Sequence, residues 1–289
     1  MERTLSIFLV CWAFCISAFS QDAKFEQWKI ERSEELLAED GWLNLAGLLW
    51  LEPGDNHLAA VFPDSLAIFQ TPQRDEIGVF RVSDDKVTFI VSDKMSVERE
   101  GKVVRESVLF PIDHGVNGSL KASKWKWSVI KRGDRFAVRL RNLEHPALGK
   151  FAPTPTFAYD PNWRLEAFFQ PKFNEFMSIT NVLGQAIEWR VMGILKFKIN
   201  GQSQELITLE DEGKLFVIFS DETNMEATYP SGRYLYVKFP DSKGNTTIDF
   251  NYAYNPPCAY TAYATCPIPP KENRLDFLIE AGEKVPEDH

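Results

Sequence analysis

Residues 255–273 read "NPPCAYTAYATCPIPPKEN", and they place two thiols, Cys258 and Cys266, in proline-stiffened backbone. Thiols in such a setting can serve as a disulfide staple, as part of a metal site, as a reactive nucleophile, or as compact packing groups. A zinc site needs more ligands, and His57, His114, His145 and His289 are not spaced with the cysteines as zinc motifs require. No metal and no cofactor is therefore expected. A nucleophilic thiol needs a base and an electropositive setting. His114, beside Asp113 in "PIDHGVNG", is the best base candidate, yet nothing in the sequence brings it to Cys258. The disulfide reading leads, because prolines on both sides of "AYTAYAT" restrict the loop and hold the thiols near each other.

The segment before the cysteines, "GRYLYVKFPDSKGNTTIDFNYAYNPPC", reads as a β-hairpin with Phe239 opposite Thr246 and Tyr236 opposite Asp249. Alternation then sends Leu235, Val237, Phe239, Ile248 and Phe250 to one face and Tyr234, Tyr236, Asp249 and Asn251 to the other. The first face is core. The second combines aromatic rings with a few polar groups, as expected either of a wet outer face or of a pocket for a small-molecule or glycan ligand. Arg233, Tyr234, Tyr236, Asp249, Asn251 and Asn255 are the ligand-binding candidates, joined by Asn273 and Glu283 further on. Two other classes stand beside binding. One is a hydrolase using Asp249 as general base with Glu283 or Asp221, or using a Cys258 thiol. The other is a structural envelope protein, in which Asp249 and Asn251 bond loop backbone, Arg233 pairs with Glu280 or Glu283, and Asn273 serves as a turn or cap residue.

These residues must be positioned by elements, and the chain supplies them in order. "MERTLSIFLVCWAFCISAFSQ" has an early Arg3, a short apolar core and small residues at Ala18 and Ser20, the pattern of a secretory signal cleaved after Ser20. Cys11 and Cys15 leave with it, so the mature protein starts at Gln21, carries no transmembrane segment and is periplasmic or extracellular. Disulfides persist in such compartments. A net charge of −9 excludes the basic face that a nucleic-acid partner requires.

Residues 22–39 place Phe25, Trp28 and Leu36 on one narrow stripe, with Ile30 and Leu37 flanking it, and predict an amphipathic helix. "GWLNLAGLLWLEPGDNH" is a strand-like run. From about residue 77 short strands follow in hairpin pairs, such as "IGVFRV" with "KVTFIV" and "KWKWSVIKR" with "RFAVRLRN". The 22 Phe, 8 Trp and 8 Tyr suit a sheet-rich core. The expected fold is mainly β, an antiparallel hairpin-rich sandwich or barrel-like domain with one N-terminal helix. It is read as a single domain over residues 21–289, with the proline-rich stretch 144–163 crossing between two groups of strands.

The terminal stretch "IDFNYAYNPPCAYTAYATCPIPPKENRLDFLIEAGEK" resembles the closing signature of the family called domain of unknown function 1684. That signature runs Asp-Phe-Asn, Asn-Pro-Pro-Cys, Thr-Cys-Pro-x-Pro-Pro and Ala-Gly-Glu-Lys. "GWLNLAGLLWLEPG" looks like the family's entry motif and "TYPSGRYLY" like its Thr-Tyr-x-x-Gly-Arg segment, so the resemblance extends over nearly all the mature chain. Ser220 stands where the family commonly has Arg, and Pro230 where it commonly has Gly. The resemblance implies motifs and no reaction.

Overall fold

The computed structural model describes residues 21–61, 64–112 and 118–287. The expected signal segment 1–20, with Asp113, His114 and His289, lies outside the described residues. Where the sequence alone reads as one domain, the contacts gather into two compact units. One is Leu37–Phe151. The other runs from Ala152 onward and includes the N-terminal segment up to Leu36. The division falls inside the proline-rich stretch 144–163.

The protein is mainly β, with helix α1 over residues 21–37. The predicted stripe holds: Phe25 and Leu36 are buried, whereas the flanking Ile30 and Leu37 are exposed. Unit 37–151 contains β1 (Leu45–Trp50), β2 (Gly54–Val61), β3 (Ser65–Phe69), β4 (Glu76–Ser83), β5 (Lys86–Val91) and β6 (Val97–Arg99). It continues with β7 (Lys102–Val104), β8 (Glu106–Phe110), β9 (Leu120–Ala122), β10 (Trp125–Arg132), β11 (Arg135–Asn142) and the short helix α2 (Pro146–Lys150). A six-stranded sheet, β1-β11-β10-β9-β6-β7, and a five-stranded sheet, β3-β2-β4-β5-β8, share one core. Phe80 and Phe89 from one sheet meet Trp127 from the other, the Phe89 and Trp127 rings lying 5.3 Å apart. This is a sandwich in which each sheet buries one face.

The second unit is built on β12 (Arg164–Thr180), β13 (Ala186–Ile199), β14 (Gln202–Asp211), β15 (Lys214–Asp221), β16 (Arg233–Val237), β17 (Asn245–Asp249) and β18 (Arg274–Leu275). Its order is β16-β15-β14-β13-β12-β17, all antiparallel, with β18 added in parallel to β15. Strand β12 continues through Pro171, where the sequence suggests a break between "RLEAFFQ" and "EFMSIT". The register against β13 slips between Pro171 and Glu175, so the proline sits at a bulge, where the ladder does not need its missing N–H.

The expected β16–β17 hairpin does not form. Strand β16 pairs with β15, with Val217 opposite Leu235, and β17 pairs with β12, with Arg164 opposite Asp249. The two strands are therefore the opposite edges of a sheet that curls until they approach, and Thr246 Oγ1 donates to the Lys238 carbonyl at 2.8 Å. Alternation survives the error: Leu235, Val237, Ile248 and Phe250 are buried in the core of this unit. Phe239 departs from it, at 56% exposed, because the chain has left β16 there.

The C-terminal segment packs on the core face of this sheet and interrupts it. Strands β14 and β15 pair only from Leu209–Phe216 to the turn. Beyond that point Asn273 takes the place of a neighbouring strand. Its Oδ1 accepts from Ile207 N–H at 2.7 Å, and its Nδ2 donates to the Ile207 and Ile218 carbonyls at 2.9 Å each. Gly232 enters β16 at φ +86°, and a Cβ there would stand 2.5 Å from the Phe219 carbonyl oxygen and from Pro269 Cγ. Asn273→Ala should cost about 2–3 kcal/mol, since it orphans buried backbone groups of two strands. Gly232→Ala should cost about as much through strain. Urea denaturation of each variant measures both, and a loss under about 1 kcal/mol would contradict the assigned roles.

Candidate functional site

The polar residues near the C-terminus divide into buried clamps and residues that face an open cleft. Arg233 is wholly buried, and its Nη2 donates to Asp221 Oδ2 at 2.8 Å and to the Ile279 carbonyl at 3.0 Å. Its Nη1 donates to the Ala281 carbonyl. Asp221 in turn accepts from the N–H groups of Thr223, at 2.9 Å, and Ile279, at 3.2 Å. Asn251 holds the Asp160 backbone from both sides, accepting from its N–H at 3.0 Å and donating to its carbonyl at 2.9 Å. Asn255 donates from its backbone to Glu283 Oε2 at 2.6 Å and from Nδ2 to the Lys284 carbonyl at 2.7 Å.

Glu283 ties this tail to α1. Its Oε1 receives Arg32 Nε at 3.2 Å, and its Oε2 receives the Tyr260 hydroxyl at 3.0 Å. Burial alone would lower the Arg32 pKa, but Glu283 and the rings of Tyr260 and Tyr254 outweigh it and hold the guanidinium above its ordinary value. Arg32 also lies over the Tyr254 ring at 4.8 Å, a cation–π contact. Tyr234 is buried and donates to the Pro267 carbonyl at 2.9 Å.

Cys258 and Cys266 form a disulfide with their Cα atoms 6.2 Å apart. The bridge holds a loop that is docked at the end of β12 and the turn after it: Val182 N–H donates to the Cys266 carbonyl at 3.0 Å, and Ile268 N–H to the Thr180 carbonyl at 2.9 Å.

An open cleft of 1390 Å³ runs between α1 and the two approaching sheet edges. Lys24, Gln27, Trp28 and Glu31 line it from the helix, and Tyr236, Lys238, Phe239 and Asp241 from β16 and the loop after it. Arg164, Thr247, Asp249, Tyr252 and Tyr254 complete the opposite wall. Trp28 is fixed by Phe25, stacked at 5.5 Å, and by the edge of Tyr252 at 5.4 Å. Tyr236 stacks on Tyr254 at 5.9 Å and donates its hydroxyl to Asp211 Oδ2 at 2.5 Å.

Of the sequence candidates, Tyr236 and Asp249 face this cleft. Arg233, Asn251 and Asn255 do not line it, although they were expected to converge on one pocket with Asp249, and the further candidates Tyr234, Asn273 and Glu283 do not line it either. Each of them aims at least one donor or acceptor at backbone that no ladder serves. Trp28 and Arg164 were not anticipated. Trp28 reads in sequence only as a member of the helix stripe, and Arg164 gains its place through the unforeseen pairing of β12 with β17.

Asp249 ends β17, and its Oδ1 accepts from Asn251 N–H at 3.2 Å and Asn251 Nδ2 at 2.8 Å. Arg164 Nε stands 3.8 Å from its Oδ2. Burial raises the Asp249 pKa above the usual aspartate value, against the opposing pull of the Asn251 bonds and Arg164. Among the described residues no cluster of His, Cys, Asp and Glu is arranged to hold a metal ion. No described helix is long and apolar enough to cross a membrane.

Residues 149–284 match the model of the family described as protein of unknown function (DUF1684). The chain belongs to that family. An uncharacterized protein of Haloarcula marismortui, solved by NMR in solution, is 31% identical over 49% of this chain and 80% of its own, with a TM-score of 0.41. No curated protein matches. In this DUF1684 chain the matched segment includes Arg164, Tyr236, Asp249 and both cysteines, whereas α1 and "GWLNLAGLLWLEPG" lie outside it. It is thus shorter than the nearly complete mature chain over which the motifs were read.

The raised carboxyl of Asp249 has a consequence for stability. Its folded pKa exceeds the unfolded one, so the native state binds the proton more tightly. The stability this adds is full below the unfolded aspartate pKa and is lost as pH rises through the folded value. Asp249→Asn keeps the acceptor for Asn251 and cannot titrate. The difference in unfolding free energy between native protein and Asp249→Asn should fall across that acidic window and then level off. A difference that rises with pH would mean that the carboxylate is stabilised by folding instead.

Proposed function

We propose that this protein is exported, with residues 1–20 as its cleaved signal, and that it binds a small molecule or glycan in the cleft between α1 and the edges of β16 and β17. The cleft carries this reading, because it places aromatic rings beside convergent polar groups of both charge signs, the composition by which pockets orient neutral polar ligands. The Cys258–Cys266 disulfide supports the export half of the proposal, since such bonds persist in oxidising compartments.

A hydrolase reading has one observation in its favour, the raised Asp249 carboxyl in a cleft. Neither expected second carboxylate helps it, because Asp221 is engaged by Arg233 and Glu283 by Arg32. The Cys258 thiol is consumed in the disulfide. Binding without turnover is the better supported function.

Phe239 and Arg164 test the reading because both line the cleft and both are substantially exposed. A glycan array and a small-molecule thermal-shift panel would first identify a ligand. Phe239→Ala and Arg164→Ala should each then weaken its binding about tenfold, roughly 1.4 kcal/mol, at unchanged melting temperature. Undiminished binding in both variants would move the site elsewhere on the protein.

A further inference from the structure

The cleft beside α1 is a groove with two long walls. Gln21, Lys24, Trp28 and Glu31 line it at helical spacing, so this wall runs about 15 Å along the helix axis. On the opposite wall Asn245, Thr247 and Asp249 alternate along β17, a run of about 13 Å. The volume of 1390 Å³ exceeds the roughly 300–1,000 Å³ of pockets that enclose a compact ligand. The shape asks for an extended molecule.

An extended peptide would bind by adding a ladder to an open strand edge. Here the edges of β16 and β17 are closed off at both ends. At one end Tyr234 and Tyr254 exchange backbone N–H···O bonds at 2.8 and 2.9 Å. At the other, Thr246 Oγ1 donates to the Lys238 carbonyl at 2.8 Å. There Asn245 donates its N–H to Asp241 Oδ1 and accepts the Asp241 N–H, both at 2.9 Å. Recognition therefore falls to side chains.

Charge does not select an ion. Lys24, Arg164 and Lys238 are matched in number by Glu31, Asp241 and Asp249. Each acid is already engaged: Glu31 by Gln27 Nε2 at 3.0 Å, Asp241 by its own turn, and Asp249 by Asn251. What the groove offers a ligand is apolar plate and neutral hydrogen-bonding group. Tyr236 and Phe239 present exposed rings, and the Thr247 hydroxyl has no partner among the described residues. A sugar ring has an apolar C–H face for such a plate and hydroxyls around its rim for the groups beside it.

Given that the cleft is a binding site, we infer that its ligand is an unbranched neutral oligosaccharide, laid lengthwise between α1 and β17. Length supplies the affinity, because each further ring gains contact until the walls end.

Calorimetric titration of the full chain with glucan, xylan, mannan and N-acetylglucosamine oligomers, each series starting from the monosaccharide, tests this. At least one series should bind, tightening at least about tenfold from the monosaccharide to the length that fills the groove, and no further beyond it. Lys24 and Glu31 stand about 10 Å apart along α1, farther than one sugar ring reaches. Both are exposed, so Lys24→Ala and Glu31→Ala should each weaken the longest oligomer at unchanged melting temperature. A monosaccharide as tight as its oligomers, or an oligomer insensitive to one of the two changes, overturns the inference. If a compact or charged molecule binds instead, and Phe239→Ala weakens it, the inference falls while the binding reading stands. If neither the sugars nor a small-molecule panel bind, both fall.

Discussion

The buried pairing of Arg233 with Asp221 is the constraint on which the unit carrying the cleft depends. Its last forty residues are mostly irregular, yet they lie against the core of a curled sheet, where backbone groups without partners are costly. A sheet would satisfy those groups with a ladder. This chain satisfies them with side chains: the guanidinium of Arg233 gathers the carbonyls of Ile279 and Ala281, while Asp221 receives the Ile279 N–H. Two opposite charges can be fully buried here because nearly every bonding direction is occupied by the partner or by backbone.

Asn251, Asn255, Asn273 and Glu283 extend the same solution along the tail. Each replaces a stretch of missing ladder, and Glu283 also fastens α1 through Arg32. The helix is therefore held by polar contacts to the tail as well as by the apolar stripe of Phe25, Trp28 and Leu36. That double attachment defines one wall of the cleft. The opposite wall exists because β16 and β17, neighbours in sequence, were sent to opposite edges of the sheet.

Elements with a strong local period were legible in the sequence: the helix stripe, the hairpins of residues 77–142, and the inward alternation of Leu235, Val237 and Ile248. Partners were not. The turn between β16 and β17 has the residues of a hairpin, and alternation says which face a side chain takes but not which strand lies beside it. Pro171 looked like a break because its bulge is a property of the pair, not of the strand. The site reading erred for a related reason. Arg233, Asn251 and Asn273 are polar residues among aromatics, and a polar group that clamps backbone has the same sequence appearance as one that awaits a ligand.

The position of the clamps in the chain also sets an order of assembly. Glu283 and the carbonyls captured by Arg233 follow every strand of the curled sheet in the chain, so the sheet cannot be sealed until they too have left the ribosome. Unit 37–151 contains all of its own strands and can close as soon as it emerges. The two units can thus close at different moments, unit 37–151 ahead of the unit that waits for its clamps.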